Sequence, residues 1–210
     1  MDTILRARKQ QVLRLTRTQH DILIGCILGD AYITKRGQIQ IEQGSVQESY
    51  VRWKYQQLQS AAYGPPKVVI RVDRRCGGVT TAYRFWTRQF FRPWRTEFYQ
   101  NNKKIMPRTL TNLSPLSLAV WYMDDGCLVE GRRVVLATDG FDGESRNRIC
   151  AVFASCFGVR PTIKASGKLL FSTRYTRQLM VSIQPYVVPS MAYKLLDPVT
   201  TDLRQYAGVR

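Results

Sequence analysis

LIGCILGDA at residues 23–31 and LAVWYMDDG at 118–126 are the two stretches whose reading decides the fold. Each is an apolar run that ends in an acid beside a small residue. The acids Asp30 and Asp125 are 125 − 30 = 95 residues apart. After each acid the chain repeats one order: short alternating strands, a helix, two more strands, another helix. An imperfect repeat of this kind means one supersecondary unit used twice.

In the first half, YITKRGQIQIEQ (32–43) predicts a hairpin turning at Lys35-Arg36-Gly37, and QESYVRWKYQQLQSAAYG (47–64) an amphipathic helix ending near Gly64. PKVVIRVD (66–73) and TTAYRFWT (80–87) alternate with period two around Cys76-Gly77-Gly78. RQFFRPWRTEFYQ (88–100) is aromatic and helix-like, with Pro93 as a possible interruption. In the second half, CLVEGRRVVLATD (127–139) predicts a hairpin at Glu130-Gly131, and GESRNRICAVFASCFG (143–158) a helix closed by Gly158. RPTIKAS (160–166) and KLLFSTR (168–174) form a hairpin at Ser166-Gly167, and TRQLMVSIQPYV (176–187) the last long helix. Thr18, with Asp21 three residues on, is the expected cap of the first motif helix; Ser114 followed by Pro115 starts the second. The fold class is α+β: two pseudo-symmetric αββαββα halves, each with a curved antiparallel sheet, and motif helices packed at the central interface. The expected divisions are a basic arm at 1–17, a first half at 18–100, a linker at 101–115, a second half at 116–200 and a tail at 201–210.

Gly25 and Gly29 are four apart, on one helix face, where small residues let another helix approach closely. Ala119 could serve similarly on the second helix. If the halves pack about a pseudo-twofold axis, the helix ends converge and Asp30 faces Asp125. A carboxylate at a helix C-terminus is disfavoured by the helix dipole, and a second one nearby by like-charge repulsion. Two acids placed so suggest a cation between them, and carboxylate oxygens select hard ions such as Mg²⁺. Metal-assisted phosphodiester hydrolysis needs such an arrangement. Either segment alone reads equally well as a core helix ending in a solvated Asp.

The chain of 210 residues carries 32 Lys and Arg against 15 Asp and Glu, a formal net charge of +17. A folded protein this basic usually meets a polyanion, since neutralising phosphates releases condensed counterions. The charge is spread along the chain rather than gathered beside an apolar anchor, and no apolar run reaches membrane-spanning length. The five cysteines (Cys26, Cys76, Cys127, Cys150, Cys156) show no zinc-ligand spacing and are odd in number, so most read as small core thiols. The lone His20 has no partner motif.

GCILGDAYI (25–33) and SLAVWYMDDG (117–126) resemble the paired signature of the LAGLIDADG homing endonucleases, in the single-chain, two-motif form often encoded in group I introns. NNKKIMP (101–107) and VVPSMAYKL (187–195) extend the likeness, which covers about residues 18–197. The resemblance implies that Asp30 and Asp125 are the metal-binding acids, with Mg²⁺ as cofactor and Mn²⁺ able to substitute, and that the two sheets form a DNA-binding saddle. It gives Asp124 a supporting role. Lys104 and Lys194 match the basic residues flanking the scissile sites, where an ammonium can orient hydroxide or stabilise phosphorane charge. Gln43 matches a polar residue of the water network around the metal; its second-half counterpart reads as Asp139, which also reads as a plain turn residue. Val120 and Ala31 stand where the family's motif has Gly.

On that saddle the DNA-contacting candidates of the first half are Lys35, Arg36, Gln38, Gln40, Lys67, Arg71, Arg74, Arg75 and Arg84. Those of the second are Arg132, Arg133, Arg160, Lys164, Lys168 and Arg174. Val68, Ile70 and Val72 are expected to face the core opposite Lys67, Val69 and Arg71. Tyr83, Phe85, Trp53, Trp86 and Trp94 read as core aromatics. Arg suits guanine and Gln adenine in the major groove. The leading expectation is a monomeric, sequence-specific, metal-dependent endonuclease making a staggered double-strand cut with 3′ overhangs at a long asymmetric site. Two alternatives use the same scaffold: an RNA maturase acting on intron RNA, and a non-catalytic DNA-binding regulator. No membrane partner is expected, and intron-encoded relatives imply a chloroplast or mitochondrion.

Overall fold

The protein is described by a computed structural model covering residues 3–6, 12–72 and 77–196. In chain order the first half comprises β1 (Thr3–Arg6), β2 (Val12–Leu15), α1 (Arg17–Leu28), β3 (Tyr32–Ile33), β4 (Ile39–Gly44), α2 (Glu48–Gln57), β5 (Lys67–Val72), β6 (Val79–Trp86) and α3 (Arg92–Phe98). A small hairpin, β7 (Tyr99–Gln100) and β8 (Lys103–Lys104), leads on to the second half. That half comprises α4 (Pro115–Asp125), β9 (Gly126–Val129), β10 (Arg133–Leu136), α5 (Gly143–Phe157), β11 (Thr162–Ile163), β12 (Leu169–Leu170) and α6 (Thr173–Ile183). Each half has one four-stranded antiparallel sheet, in the orders β3-β4-β6-β5 and β9-β10-β12-β11, which are the same topology. The two repeats expected from the motifs are therefore present.

The motif helices α1 and α4 cross at the centre. Both are apolar on every side, as helices buried all round must be: Ile22–Leu28 and Leu118–Met123 are inaccessible. A Cβ on Gly25 would stand 2.4 Å from the Ser117 carbonyl oxygen and 2.7 Å from the Val120 Cβ, so glycine sets how closely the helices approach. Ser117 and Val120, rather than Ala119, supply the atoms nearest that position. Ser117 Oγ donates to the Asp21 carbonyl at 2.8 Å and ties the helices together.

The first helix is capped two residues before the expected position. Thr16 Oγ1 accepts from the Gln19 amide, and the Gln19 side-chain carbonyl accepts from the Thr16 N–H, a reciprocal capping box. Asp21 instead pairs with Arg17 and His20. Ser114 caps α4 and Asp142 caps α5, each accepting from a backbone amide of the first turn. Pro93 opens α3 instead of interrupting it, because a proline in the first turn loses no helical hydrogen bond. The N-terminal stretch contributes the antiparallel pair β1 and β2, with Leu5, Leu13 and Leu15 buried in the core, rather than a basic arm. Residues 101–115 begin inside the β7–β8 turn, where Asn101 and Asn102 adopt left-handed backbone at φ 49° and 62°. Residues 201–210 lie outside the described residues.

The repeat spacing of 95 holds through the first hairpin and helix. Ile39 and Ile41 are buried on β4, Val134 and Leu136 on β10, and α2 and α5 start at Glu48 and Gly143. Beyond that the halves diverge. Thr87 N donates to the Ile39 carbonyl, and Phe171 N to the Val134 carbonyl. That pairing has a spacing of 171 − 87 = 84, so the second half is 95 − 84 = 11 residues shorter across its second hairpin. The expected strands at 160–174 shrink accordingly to two residues each. Ser172 caps α6, and Arg174 falls in that helix's first turn rather than on a strand.

Val68, Ile70 and Val72 lie on the inner face of the sheet, in register with Tyr83, but are not covered there; they are 54%, 67% and 61% exposed. Helix α2 packs mainly on β4 and β6 and leaves the edge strand β5 largely uncovered. Phe85 and Trp94 are core, while Trp53 and Tyr83 are half-buried against it. Trp86 pairs across from Gln40 on the outer face, where the Arg84 guanidinium lies 5.8 Å from its ring. Among the described residues Cys26, Cys127, Cys150 and Cys156 are free thiols; Cys127 is exposed rather than core. Among the described residues no helix is long and apolar enough to cross a membrane.

Candidate functional site

Asp30 follows the end of α1 and is exposed; Asp125 is the last residue of α4 and half-buried. The close approach at Gly29 brings them to one place, since a Cβ there would stand 2.7 Å from the Asp124 side chain. Burial, Asp30 and Asp124 together push the Asp125 carboxyl up to about 7. Trp121 Nε1 donates to its Oδ2 at 3.3 Å.

Two lysines close the site from opposite sides. Lys104, on β8, donates its ammonium to the Gly29 carbonyl at 2.5 Å and the Ala31 carbonyl at 3.2 Å, flanking Asp30. Lys194 donates to the Met123 carbonyl at 2.5 Å, just before the second acid pair. Burial holds both below the ordinary lysine range, against the pull of the three aspartates. Lysines so placed neutralise charge at the helix ends and part with a proton more readily than a solvated lysine does.

Gln43 stands beside Asp30, as expected from the sequence. Its side-chain amide donates to Asp30 Oδ2 at 2.9 Å and Asp124 Oδ1 at 3.1 Å. Asp124 is wholly buried and pairs with Lys54, also buried, at 2.6 Å. Burial pulls Lys54 down, but the neighbouring Asp124 outweighs it and holds the ammonium above its ordinary range. The Tyr50 ring lies 4.2 Å from that ammonium, and the Tyr50 hydroxyl donates to the Val120 carbonyl at 3.2 Å. Lys54 and Tyr50 do not stand out in the sequence. The available signal is a lysine on the apolar side of a helix, at 54, one turn after Tyr50.

Asp139 is not the counterpart of Gln43. The spacing of 95 that aligns Ile41 with Leu136 aligns Gln43 with Thr138, whose buried hydroxyl donates to the Gly167 carbonyl at 2.6 Å. Asp139 is an exposed turn residue. At the register of Gln43 the second half therefore has a hydroxyl, engaged elsewhere, instead of an amide.

Strand register fixes the outer faces. Gln40, Glu42, Arg84, Trp86, Lys67 and Arg71 share one face of the first sheet. Lys35 and Arg36 are exposed at its β3–β4 tip, with Gln38 half-buried beside them. Glu42 is an unanticipated carboxylate there, pairing with both Arg71 and Arg84 and accepting from Gln40 Nε2 at 3.2 Å. In the second half Arg132 and Arg133 both pair with Glu130 at the β9–β10 turn. Arg160, Lys164 and Lys168 are exposed around the short β11–β12 hairpin. Arg74 and Arg75, with Cys76, lie outside the described residues.

Among the described residues no group of three or more His, Cys, Asp or Glu side chains is placed to hold a metal unaided. Two acids beside backbone carbonyls suit a hard ion such as Mg²⁺, which is usually held by one or two carboxylates with water and substrate phosphate completing its shell.

Residues 20–180 match the model of the LAGLIDADG DNA endonuclease family. Cytochrome b mRNA maturase bI2 of Debaryomyces hansenii is 29% identical over 198 residues, which cover 86% of this chain and 74% of that protein. Its namesake in Saccharomyces cerevisiae is 26% identical, covering 83% of this chain but only 46% of the relative. Probable intron-encoded endonuclease 1 of Wickerhamomyces canadensis is 27% identical, covering 92% and 90%. Among solved structures, the homing endonuclease I-WcaI bound to its DNA recognition sequence matches with a TM-score of 0.78 at 26% identity, over 86% of this chain and 87% of that one.

Proposed function

Since the chain belongs to the LAGLIDADG DNA endonuclease family, we propose that it is a monomeric homing endonuclease that cuts both strands of a long asymmetric DNA site and leaves 3′ overhangs. The observation that carries this reading is the pairing of Asp30 and Asp125 at the crossed helix ends, with a lysine on the carbonyls beside each. Burial first, and the Asp30 and Asp124 charges after it, raise the Asp125 carboxyl. Asp30 and Asp125 would hold Mg²⁺, with Mn²⁺ able to substitute. The ion, when bound, supplies Lewis-acid stabilisation of the scissile phosphate and acidifies attacking water.

The chain's own residues do the rest. Lys104 and Lys194 orient the nucleophile and offset charge developing on the phosphoryl oxygens. Gln43 holds Asp30 in one orientation. The outer sheet faces bind double-stranded DNA, with phosphate contacts fixing register and strand side chains reading base edges. Relatives named as intron-encoded or as cytochrome b mRNA maturases support an organellar intron as the gene's setting.

The maturase names also favour a second activity, binding of intron RNA, on the same chain. Retention of both motif acids speaks against a purely regulatory DNA-binding role. The decisive experiment selects cleaved sites from a randomised duplex library with Mg²⁺ present. A single long consensus is expected, and a plasmid carrying it should be linearised. Asp30→Asn and Asp125→Asn should each bind that site without cutting it. Unchanged cleavage by either variant would overturn the two-acid assignment, and recovery of no site would overturn the endonuclease reading.

A further inference from the structure

The buried pair Lys54–Asp124 occurs once. At the repeat spacing of 95, Gly29 corresponds to Asp124, Gln43 to Thr138, Tyr50 to Ser145 and Lys54 to Ile149. None of the second-half residues can rebuild the arrangement around Asp125: Thr138 is engaged by Gly167, Ser145 Oγ accepts from the Met106 amide, and Ile149 is apolar core.

The geometry points to Lys54 and Asp124 as positioning residues for Asp30, and so to unequal cutting of the two DNA strands. The connection between them is continuous. Lys54 Nζ fixes Asp124 Oδ1 at 2.6 Å, and the same oxygen accepts from Gln43 Nε2 at 3.1 Å. That nitrogen in turn donates to Asp30 Oδ2 at 2.9 Å. The other Asp124 oxygen faces the Asp30 backbone N–H at 3.5 Å. A buried group with a fully engaged partner has one orientation, and a donor anchored on it has one too. Asp30 is exposed, so without Gln43 its carboxylate would rotate among solvated positions. Asp125 is restrained differently, by burial and by Trp121 on its own helix. Lys54 touches no reacting atom; it acts through Asp124 and Gln43.

This inference rests on the endonuclease reading for its strand consequence, but not for its contacts. The test replaces the pair together, as Lys54→Met/Asp124→Leu. Exchanging a buried ion pair for apolar groups of similar size usually preserves folding, whereas removing one partner does not. A second variant, Lys54→Met/Asp124→Asn, restores an oxygen able to accept from Gln43. Two readouts follow. In metal-free, DNA-free protein labelled with ¹⁵N, the Gln43 side-chain amide signals should move toward the solvent-averaged position in the first variant and return in the second. With the selected site labelled on either strand, the first variant should cut one strand slower by up to about 10²-fold, the scale of a 1 Å misplacement. The other strand should change far less, since Asp124 acts on Asp125 through its charge and holds no donor to it; nicked duplex should accumulate, and the second variant should recover the slowed strand. Unmoved Gln43 signals, or equal rates on both strands, would overturn the proposal. If the wild-type chain cuts no DNA, the endonuclease reading fails while the amide signals still report on Lys54 and Asp124.

Discussion

Beside its motif acid the first half of the molecule places Lys54, buried against Asp124 of the second half, and it has a long β5–β6 arm. At the same register the second half has Ile149, Thr138 and a hairpin 11 residues shorter (95 − 84). What the halves share is backbone: strand order, hairpin register and helix starts. What they do not share is the polar chemistry set on that backbone. A repeat thus preserves where side chains point more strictly than which side chains they are, because register moves whole faces at once while a side chain changes alone.

The largest expected effect tests whether the two sides of the site act alike. Lys104→Met and Lys194→Met should each lower the cleavage rate by about 10²–10³, the usual loss for one positioned donor at a developing oxyanion. Strand-resolved rates should show whether each lysine serves one strand. A slower rate in only one of the two variants would break the pseudo-symmetry at the level of chemistry.

Stability should separate Gly25 from its counterpart Val120. Gly25→Ala drives a methyl toward the Ser117 carbonyl and should cost about 1–3 kcal/mol. Thermal melting should fall by roughly 2–12 °C for a chain of this size. Val120→Ala removes bulk at the same crossing and should leave a cavity rather than a clash, so combining the two should recover part of the stability. A simple sum of the two destabilisations would mean that the two side chains do not meet.

The acids differ in burial, and pH exposes it. The Asp125 carboxyl is raised from 3.8 to about 7 in the folded chain. Between those values the folded state holds the proton more tightly than the unfolded state. The stabilising contribution is therefore complete at acid pH and is lost as pH rises through about 7. Metal-free melts should show that decline from this group. Asp125→Asn should remove it, and Asp30→Asn should make it shallower, because Asp30 is among its causes. A decline unchanged in Asp125→Asn would assign it elsewhere.

The smallest effects concern the arms. Lys67→Ala or Lys164→Ala should reduce the slope of log affinity against log salt by about one for each phosphate no longer neutralised. The longer β5–β6 arm should give a footprint reaching further from the cut on the first half's side. Equal reach on both sides would mean that the added length does not lie along DNA.

Much of the fold was legible because it depends on periodic signals. The motif helices, the turns at Gly37, Gly131 and Gly167, and the Gly158 stop are each set by local sequence. In the candidate site the two acids were legible from the repeat, while Gln43 and the two lysines came with the family resemblance. Other features depend on neighbours far along the chain. Thr16 and Thr18 are both competent caps, and Gln19 decides between them. Val68, Ile70 and Val72 alternate as a buried strand does, but nothing in their own sequence says that α2 leaves them largely uncovered. Lys54 looks like any helix lysine until the crossing at Gly29 places Asp124 beside it. Matching Gln43 to Asp139 by similarity misses its true counterpart by one residue, and only the hairpin register corrects it.

Gly29 and Asp124 occupy equivalent places on the two central helices and lie against each other. Two copies of the first half, joined about the same axis, would set glycine against glycine and bury two Lys54 ammoniums with no buried carboxylate to pair with them. Two copies of the second would crowd two Asp124 carboxylates with no glycine to admit them and no lysine to offset them. Buried like charges disfavour both homodimers strongly. The halves are therefore obligate complements. A recombinant that exchanges either half must carry residues 29, 43, 54 and 124 as one set, even when every side chain facing the nucleic acid is left alone.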